Sequence, residues 1–459
     1  MLAITSSTSP LRRGHLSTLV YTLLVTLSFF AQVSISASSA LPPPTPLTRR
    51  DAFTDVRGTV GDASLSSIGK RPKGAYARSI PITPTSSIFT WYSKSPVDES
   101  TAESAFIIIH GINRNANTYW SILNKAWAQA RDASLGSARP KSIRVAPLFF
   151  STRQDEGAYN QTHLAWGDSN AWTAGEGSTN PPLSHVSSFT VLDVLLDRFS
   201  DAAAFPNMKT ITFVAHGGGA QMLQRYAVFG KANPDPARLS VRYVVGDPSS
   251  QLYFTQDRPV GVDQISCPTW NDYRYGLDRY TAPYNTLSAA HAPFLFKSYA
   301  AKEVRHVVAL ADTSKKHGDQ TCMAHAVGGP IRRNRNLAYW KYIHLLAGTT
   351  SADLLGNFPG AFPALDPNTR TNQSNIPRSS SIMLDSFKGV QIRHSLSVVS
   401  GAGHSASKVY GSAEGRNALF ADQASSGSRS IPDYSQEVVG YTADRAGAKD
   451  YSNDGEGDD

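Results

Sequence analysis

The chain is poor in cysteine, with only Cys267 and Cys322 among its 459 residues. So few cysteines exclude a small disulfide-rich scaffold and a cysteine-based zinc module. The sequence also lacks zinc-ligand spacing, a run of Lys and Arg typical of nucleic-acid binding, and internal repeats. The net charge of +8 comes from scattered residues, the densest group being Arg332, Arg333 and Arg335. This pattern favours solubility and affinity for acidic surfaces rather than nucleic-acid binding. We expect no cofactor and no metal.

Only one long apolar run occurs, and it lies near the amino terminus. Residues 16–33 follow the basic pair Arg12 and Arg13 and precede the small-residue run 34–40. This order predicts a cleavable secretory signal over residues 1–40, with an uncleaved signal anchor as the alternative. Since no later run is as long, we predict a secreted monomer without a stable membrane anchor.

Export would set the chemistry of several residues. In an oxidising compartment Cys267 and Cys322 are predicted to form one disulfide, the alternative being two buried thiols. Asn160 and Asn372 each begin an Asn-x-Ser/Thr glycosylation sequon. Residues 41–78 form a Pro/Ser/Gly-rich linker or pro-segment, which contains the dibasic pair Arg49-Arg50.

Strand-like apolar runs alternate with helical spacing through the middle of the chain, which predicts a mostly parallel sheet with helices on both faces. The predicted strands cover residues 87–92, 105–109, 143–150, 211–215, 239–245, 304–310 and 396–399, with a helix over 188–199. One domain over 79–420 is followed by a disordered acidic tail over 421–459. An aromatic-rich insertion at 251–303 predicts a lid or cap, or a small core of its own, and 350–390 reads as an exposed loop.

The most informative segment is Ala215-His216-Gly217-Gly218-Gly219, which joins the strand 211–215 to a helical pattern. Strand, sharp turn and helix, with small residues two before and two after the apex, form a nucleophile elbow. Here the apex is Gly217, which has no side-chain atom that could attack a carbonyl. One alternative makes this segment an oxyanion loop with Ser405 as nucleophile, but no histidine follows that serine. Another is a phosphate-binding turn, which lacks the usual glycine spacing and lysine.

Other parts of a hydrolytic site stand in the expected chain order. The backbone amides of Ile112, beside Gly111, and of Gly218 are candidate oxyanion donors. Asp312, just after the strand 304–310, is the candidate acid, with Asp319 as its competitor. His404, after the last strand, is the candidate base.

These motifs together resemble secreted fungal proteins of the α/β-hydrolase fold, of the serine esterase and lipase type. The similar stretches are His110-Gly111-Ile112-Asn113-Arg114, Thr118-Tyr119-Trp120, Ala215-His216, Gln224-Arg225-Tyr226-Ala227, Asp247-Pro248-Ser249-Ser250, Tyr275-Gly276-Leu277, Asp319-Gln320-Thr321-Cys322 and Gly401-Ala402-Gly403-His404. The resemblance implies an α/β-hydrolase fold and a serine at the elbow, where this chain has Gly217.

The expected function is therefore that of a catalytically impaired relative of carboxylic-ester hydrolases. It would bind a small-molecule ester, a lipid or a cell-wall ligand, or a partner. The alternative is an active enzyme, either a base-catalysed one that uses His404 and Asp312 or a hydrolase that uses another hydroxyl, such as Ser249 or Ser250.

Overall fold

The computed structural model describes residues 68–444 apart from 169, 286–290, 352–354, 367, 370 and 424–430. The predicted signal segment, the dibasic pair and the acidic end of the chain lie outside the described residues. Within the described residues, no helix combines the length and apolarity needed to cross a bilayer.

The described elements alternate between strands and helices along most of the chain. The strands are β1 (Ala75–Thr83), β2 (Ser86–Ser93), β3 (Ser104–Ile109), β4 (Ser142–Leu148), β5 (Phe150–Ser151), β6 (Ala165–Trp166), β7 (Ser178–Asn180), β8 (Thr210–His216), β9 (Ser240–Gly246), β10 (Gly261–Val262), β11 (Glu303–Ala309), β12 (Ser395–Val399) and β13 (Thr442–Ala443). The helices are α1 (Ala116–Asp132), α2 (Ser188–Ser200), α3 (Gly218–Phe229), α4 (Ala292–Ala301), α5 (Cys322–Ala326), α6 (Arg332–Leu346), α7 (Ser381–Asp385), α8 (Ala406–Gly411) and α9 (Ala413–Phe420).

Eight strands form one sheet in the order β1-β2-β4-β3-β8-β9-β11-β12. β2 runs antiparallel to both neighbours, and the pairings from β4 to β12 are parallel. Parallel strands covered on both faces read as continuous apolar runs, and every residue of β3 is buried. The molecule has an α/β-hydrolase fold, as predicted.

Two apolar cores sandwich the sheet. Successive side chains of a strand point to opposite faces, so Phe213 and Ala215 of β8 enter one core while Val214 enters the other. The first core is completed by α2, α3, α4 and α6, and the second by α1, α8 and α9. The sheet is therefore held rigidly, and the loops at the carboxyl ends of its strands are fixed in position.

The aromatic-rich segment 251–303 is part of this packing. Tyr253, Phe254 and Tyr273 are buried in the first core, where Tyr253 stacks on Tyr342 of α6 with ring centroids 4.3 Å apart. These three residues belong to the main core, whereas the sequence predicts a lid or a separate small core. Val262, Cys267 and Trp270 of the same segment do lie in a separate small cluster, with Ala326 and Ala443.

Three peripheral segments are more ordered than the sequence predicts. β1 begins at Ala75, inside the predicted linker, and pairs with β2. In the predicted exposed loop 350–390, Phe358, Phe362 and Phe387 are buried. The predicted disorder of 421–459 is corrected for residues 431–444, because β13 pairs in parallel with β10. Each of these segments is ordered by contacts with residues distant in sequence, which local composition does not reveal.

Candidate active site at the elbow

The turn between β8 and α3 has the sharp geometry of a nucleophile elbow. Gly217 lies at its apex with φ 58° and ψ −120°. Residues other than glycine are strained in this backbone conformation. The N–H of Gly217 donates to the carbonyl of Gly246 in the neighbouring strand, at 3.0 Å. The sheet therefore fixes the apex, and glycine occupies it without strain.

His404 faces this apex from the loop between β12 and α8. Its Nδ1 lies 3.0 Å from Oδ2 of Asp312, which follows β11. Because the carboxylate can only accept, we assign the proton to Nδ1, and Nε2 is left as an acceptor on the side of the elbow. A Cβ atom placed on Gly217 would lie 3.0 Å from that Nε2. The structure thus brings Gly217, Asp312 and His404 together.

Asp312 has a second partner, Arg332, at the start of α6. Arg332 Nε donates to both carboxylate oxygens at 3.1 and 3.0 Å, and its Nη2 donates to Oδ1 at 2.9 Å. Burial alone would raise the pKa of Asp312. The adjacent His404 and Arg332 outweigh that effect and hold the pKa well below its ordinary value. Asp312 is therefore ionised across the physiological pH range.

Arg332 is the site residue that sequence reasoning missed. The sequence places Arg332, Arg333 and Arg335 among the basic residues of the surface, yet their exposed fractions are 2%, 7% and 0%. The interpretation of this group as a surface charge is wrong. All three lie near the start of α6 and donate hydrogen bonds to groups brought there by the fold. An arginine in a sequence carries no local signal that tertiary contacts will bury it.

Asp319, the competing candidate acid, is used elsewhere. Its Oδ2 accepts a hydrogen bond of 2.5 Å from the hydroxyl of Tyr275. Its Oδ1 accepts from the amide and hydroxyl of Thr321. Of the two aspartates, Asp312 is the one that contacts His404.

The two candidate oxyanion amides lie side by side. A Cβ placed on Gly218 would lie 3.1 Å from the amide nitrogen of Ile112. Within the described residues, no backbone acceptor is bonded to either amide. Two unpartnered N–H groups beside the elbow can therefore stabilise a negatively charged oxygen.

The loop that carries Ile112 is held from both ends. His110 Nδ1 lies 2.7 Å from the carbonyl of Gly111, and its Nε2 accepts from the amide of Phe149 at 3.0 Å. Burial lowers the pKa of His110 to about 3, so it is neutral at pH 7. Arg114 donates to the carbonyl of Ile112 at 2.6 Å and forms a buried ion pair with Asp155 at 2.8 Å.

A second histidine backs the first. The fully buried ring of His216 lies against that of His404, with centroids 4.4 Å apart. Its Nε2 is 3.4 Å from Oδ2 of Asp247. This ring limits the movement of His404 away from Asp312.

The other candidate hydroxyls have different roles. Ser405 begins α8 as its N-cap, accepting from the amide of Lys408, which argues against the second elbow. Ser250 donates to Gln221 and accepts from Arg225, and the carbonyl of buried Ser249 accepts from Arg335. None of the described hydrogen bonds joins these serines to His404.

Three features outside the site concern the cysteines, the sequons and the metal-ligating side chains. Cys267 and Cys322 form a disulfide, as predicted. Both sequon residues, Asn160 and Asn372, are exposed. In the described ranges, His, Cys, Asp and Glu side chains nowhere form a group of three or more suited to a metal ion.

Of the known proteins compared with this chain, only solved structures are similar to it. No family model matches the chain, and no curated protein matches it. A poly(aspartic acid) hydrolase from Sphingomonas sp. KT-1 is 18% identical with a TM-score of 0.47, covering 75% of this chain and 98% of its own. A poly(3-hydroxybutyrate) depolymerase from Bordetella parapertussis is 14% identical with a TM-score of 0.45, covering 76% and 91%. A siderophore hydrolase from Aspergillus nidulans is 11% identical with a TM-score of 0.34, covering 78% and 97%. The assignment of the fold rests on the strand order and the elbow rather than on these likenesses.

Proposed function

We propose that this chain is a disarmed relative of carboxylic-ester hydrolases, which binds its ligand at the elbow without forming a covalent bond. The observation that carries the proposal is the position of Gly217. A β-carbon there would lie 3.0 Å from Nε2 of a histidine that is already oriented by an aspartate. The base, the acid and the oxyanion amides are arranged for a nucleophile, and only its hydroxyl is missing.

The test is the esterase activity of Gly217→Ser on p-nitrophenyl acetate, butyrate and octanoate. Removing the nucleophile of a serine protease costs about a million-fold in turnover, so restoring one is expected to raise the rate by several of those orders of magnitude. His404 must yield by a few tenths of an ångström to admit the new β-carbon. Gly217→Ala is the matched control, since it has the same backbone strain and no hydroxyl. Activity in neither variant, with both folded, would contradict the proposal.

A second candidate function uses His404 as a base without a covalent nucleophile. It is favoured by the open Nε2, which Asp312 orients toward the elbow and which could activate water. In the same assay this enzyme would be active as the natural protein and would lose its activity in His404→Gln. Activity of the natural protein that survives in this variant would exclude both candidates at this site.

We further propose that the protein acts outside the cell. Three observations support this: the apolar run at residues 16–33, the disulfide between Cys267 and Cys322, and the exposure of both sequons. Expression of the full chain in a eukaryotic host, followed by mass spectrometry of the medium, would test it. Protein retained inside the cell with residues 1–40 still attached would contradict it.

A further inference from the structure

We propose that the natural ligand of the elbow is a carboxylate, that is, a free organic acid rather than its ester. This inference rests on the proposed function and adds the chemical class of the ligand. Its basis is that the loss of the serine leaves room for one more oxygen, beside a group that can donate to it.

The first carboxylate oxygen has a place beside the two amides. The amide nitrogen of Ile112 lies close to Gly218, 3.1 Å from the position of a β-carbon on that glycine. Gly218 also begins α3, which runs for 12 residues and has no acidic residue in its first turn. The partial positive charge at this helix end favours an anion.

The second oxygen has a place where the nucleophile's hydroxyl would be. Apart from Gly217 itself and its two neighbours in the chain, a β-carbon on Gly217 meets only Nε2 and Cε1 of His404 within 4 Å among the described residues. That side chain is nine-tenths buried, with 10% exposed, and its Nε2 has no hydrogen-bond partner among the described residues. Once protonated, Nε2 would donate to a ligand oxygen in this space.

The charges around His404 favour an anion specifically. In a simple acid–base pair the carboxylate would balance a protonated imidazole. Here Arg332 already forms three hydrogen bonds to that carboxylate of Asp312. The other groups facing His404 are His216 and, behind it, Asp247. The negative charge of Asp312 would thus be shared between Arg332 and protonated His404. A bound carboxylate would balance the positive charge that remains.

An ester lacks this advantage. It carries no charge. Its second oxygen bears an alkyl group, and this oxygen therefore accepts only a weak hydrogen bond from the imidazolium. An uncharged amide of the same acid has nearly the same shape, so it isolates the effect of charge. Hydrogen bonds to an ionised partner are about twice as strong as neutral ones.

The experiment is calorimetric titration of the natural protein and of His404→Gln with acetate, butyrate and octanoate, each beside its primary amide, at pH 6. We expect the acid to bind at least about tenfold more tightly than the amide at pH 6. In His404→Gln this preference for the acid should disappear, because the variant cannot carry the positive charge.

Gly217→Ser separates the failure of this inference from the failure of the proposed function. If that variant hydrolyses the esters but the natural protein binds acid and amide equally, or binds no acid, the carboxylate inference is overturned. The proposed function, a hydrolase relative that lacks its nucleophile, is then retained. If the variant is folded but inactive and no probe binds, both are overturned.

Discussion

At the residue scale, the site depends on a side chain that does not touch the elbow. Arg332 and Asp312 are almost completely buried, with 2% and 1% of their side chains exposed. Such a pair is expensive to break, because removal of one partner leaves a buried charge without compensation. Arg332 is therefore a positioning residue, which holds the acid that orients His404.

We predict that Arg332→Met lowers the free energy of unfolding by about 3–5 kcal/mol. In the Gly217→Ser background it should also move the acidic limb of the pH–rate profile to higher pH, because the unbalanced charge of Asp312 would favour the protonated base. A structural role alone would lower the amount of folded enzyme without moving that limb.

The control for this prediction is Arg131→Met. Arg131 pairs with Asp132 on the surface of α1, with 41% and 68% of the two side chains exposed. Exposed pairs contribute about 0–1 kcal/mol. Equal losses in urea unfolding for the two variants would refute the special role of Arg332.

At the element scale, the site is built by the close approach of α3 to β3. A β-carbon on Gly219 would lie 2.4 Å from the carbonyl oxygen of His110 and 2.8 Å from that of Ile109. These are backbone atoms, so they cannot turn aside as a side chain would. Gly219 thus allows the helix to begin against the loop that carries the amide of Ile112.

We predict that Gly219→Ala destabilises the protein by about 1–3 kcal/mol, because α3 must move away from β3. It should also abolish the activity that Gly217→Ser restores, since the two amides would separate. Gly411, the last residue of α8, is the matched control: outside its own helix backbone and chain neighbours, a β-carbon there meets nothing within 4 Å among the described residues. Urea unfolding of Gly411→Ala should show little change, and a similar loss in both variants would contradict the argument.

The elements that could be predicted from the sequence are those encoded locally. β3 and β8 are continuous apolar runs, and the elbow combines a strand, glycines and a helical pattern within a few residues. Two features are not encoded in this way. Burial of Arg332 depends on Asp312, 20 residues earlier, and β13 depends on β10, about 180 residues earlier. Such contacts are set by tertiary packing, which overrides local composition.

The choice between Asp312 and Asp319 shows the same limit. Both aspartates follow β11 closely, and both are buried. Their order in the chain suits either role, and only the direction of each side chain separates them. Asp312 meets His404, whereas Asp319 meets Tyr275.

At the scale of the whole molecule, buried histidines make the fold sensitive to acid. Burial lowers the pKa of His110, His325 and His394 to about 3 each. In the unfolded chain a histidine has a pKa of about 6.5. Between these values the unfolded state binds more protons, so stability is lost as the pH falls through this window. The depressed pKa of Asp312 acts in the same direction, its contribution being lost below about pH 4.

We predict that the free energy of unfolding in urea is nearly constant from pH 8 to pH 7 and falls between pH 6 and pH 5. Each histidine that stays neutral contributes about 1.4 kcal/mol per pH unit, so the three together give a slope of up to about 4 kcal/mol per pH unit. A flat profile down to pH 5 would show that these histidines are protonated in the folded protein.

The most direct test of the central claim is the intact mass of the protein after exposure to a fluorophosphonate, which reacts with an activated serine and releases fluoride. We predict no adduct on the natural protein, one adduct on Gly217→Ser, and none on Gly217→Ser combined with His404→Gln. This pattern would show that the base, the acid and the oxyanion amides are arranged to activate a serine at position 217. An adduct on the natural protein, or none on folded Gly217→Ser, would contradict the account.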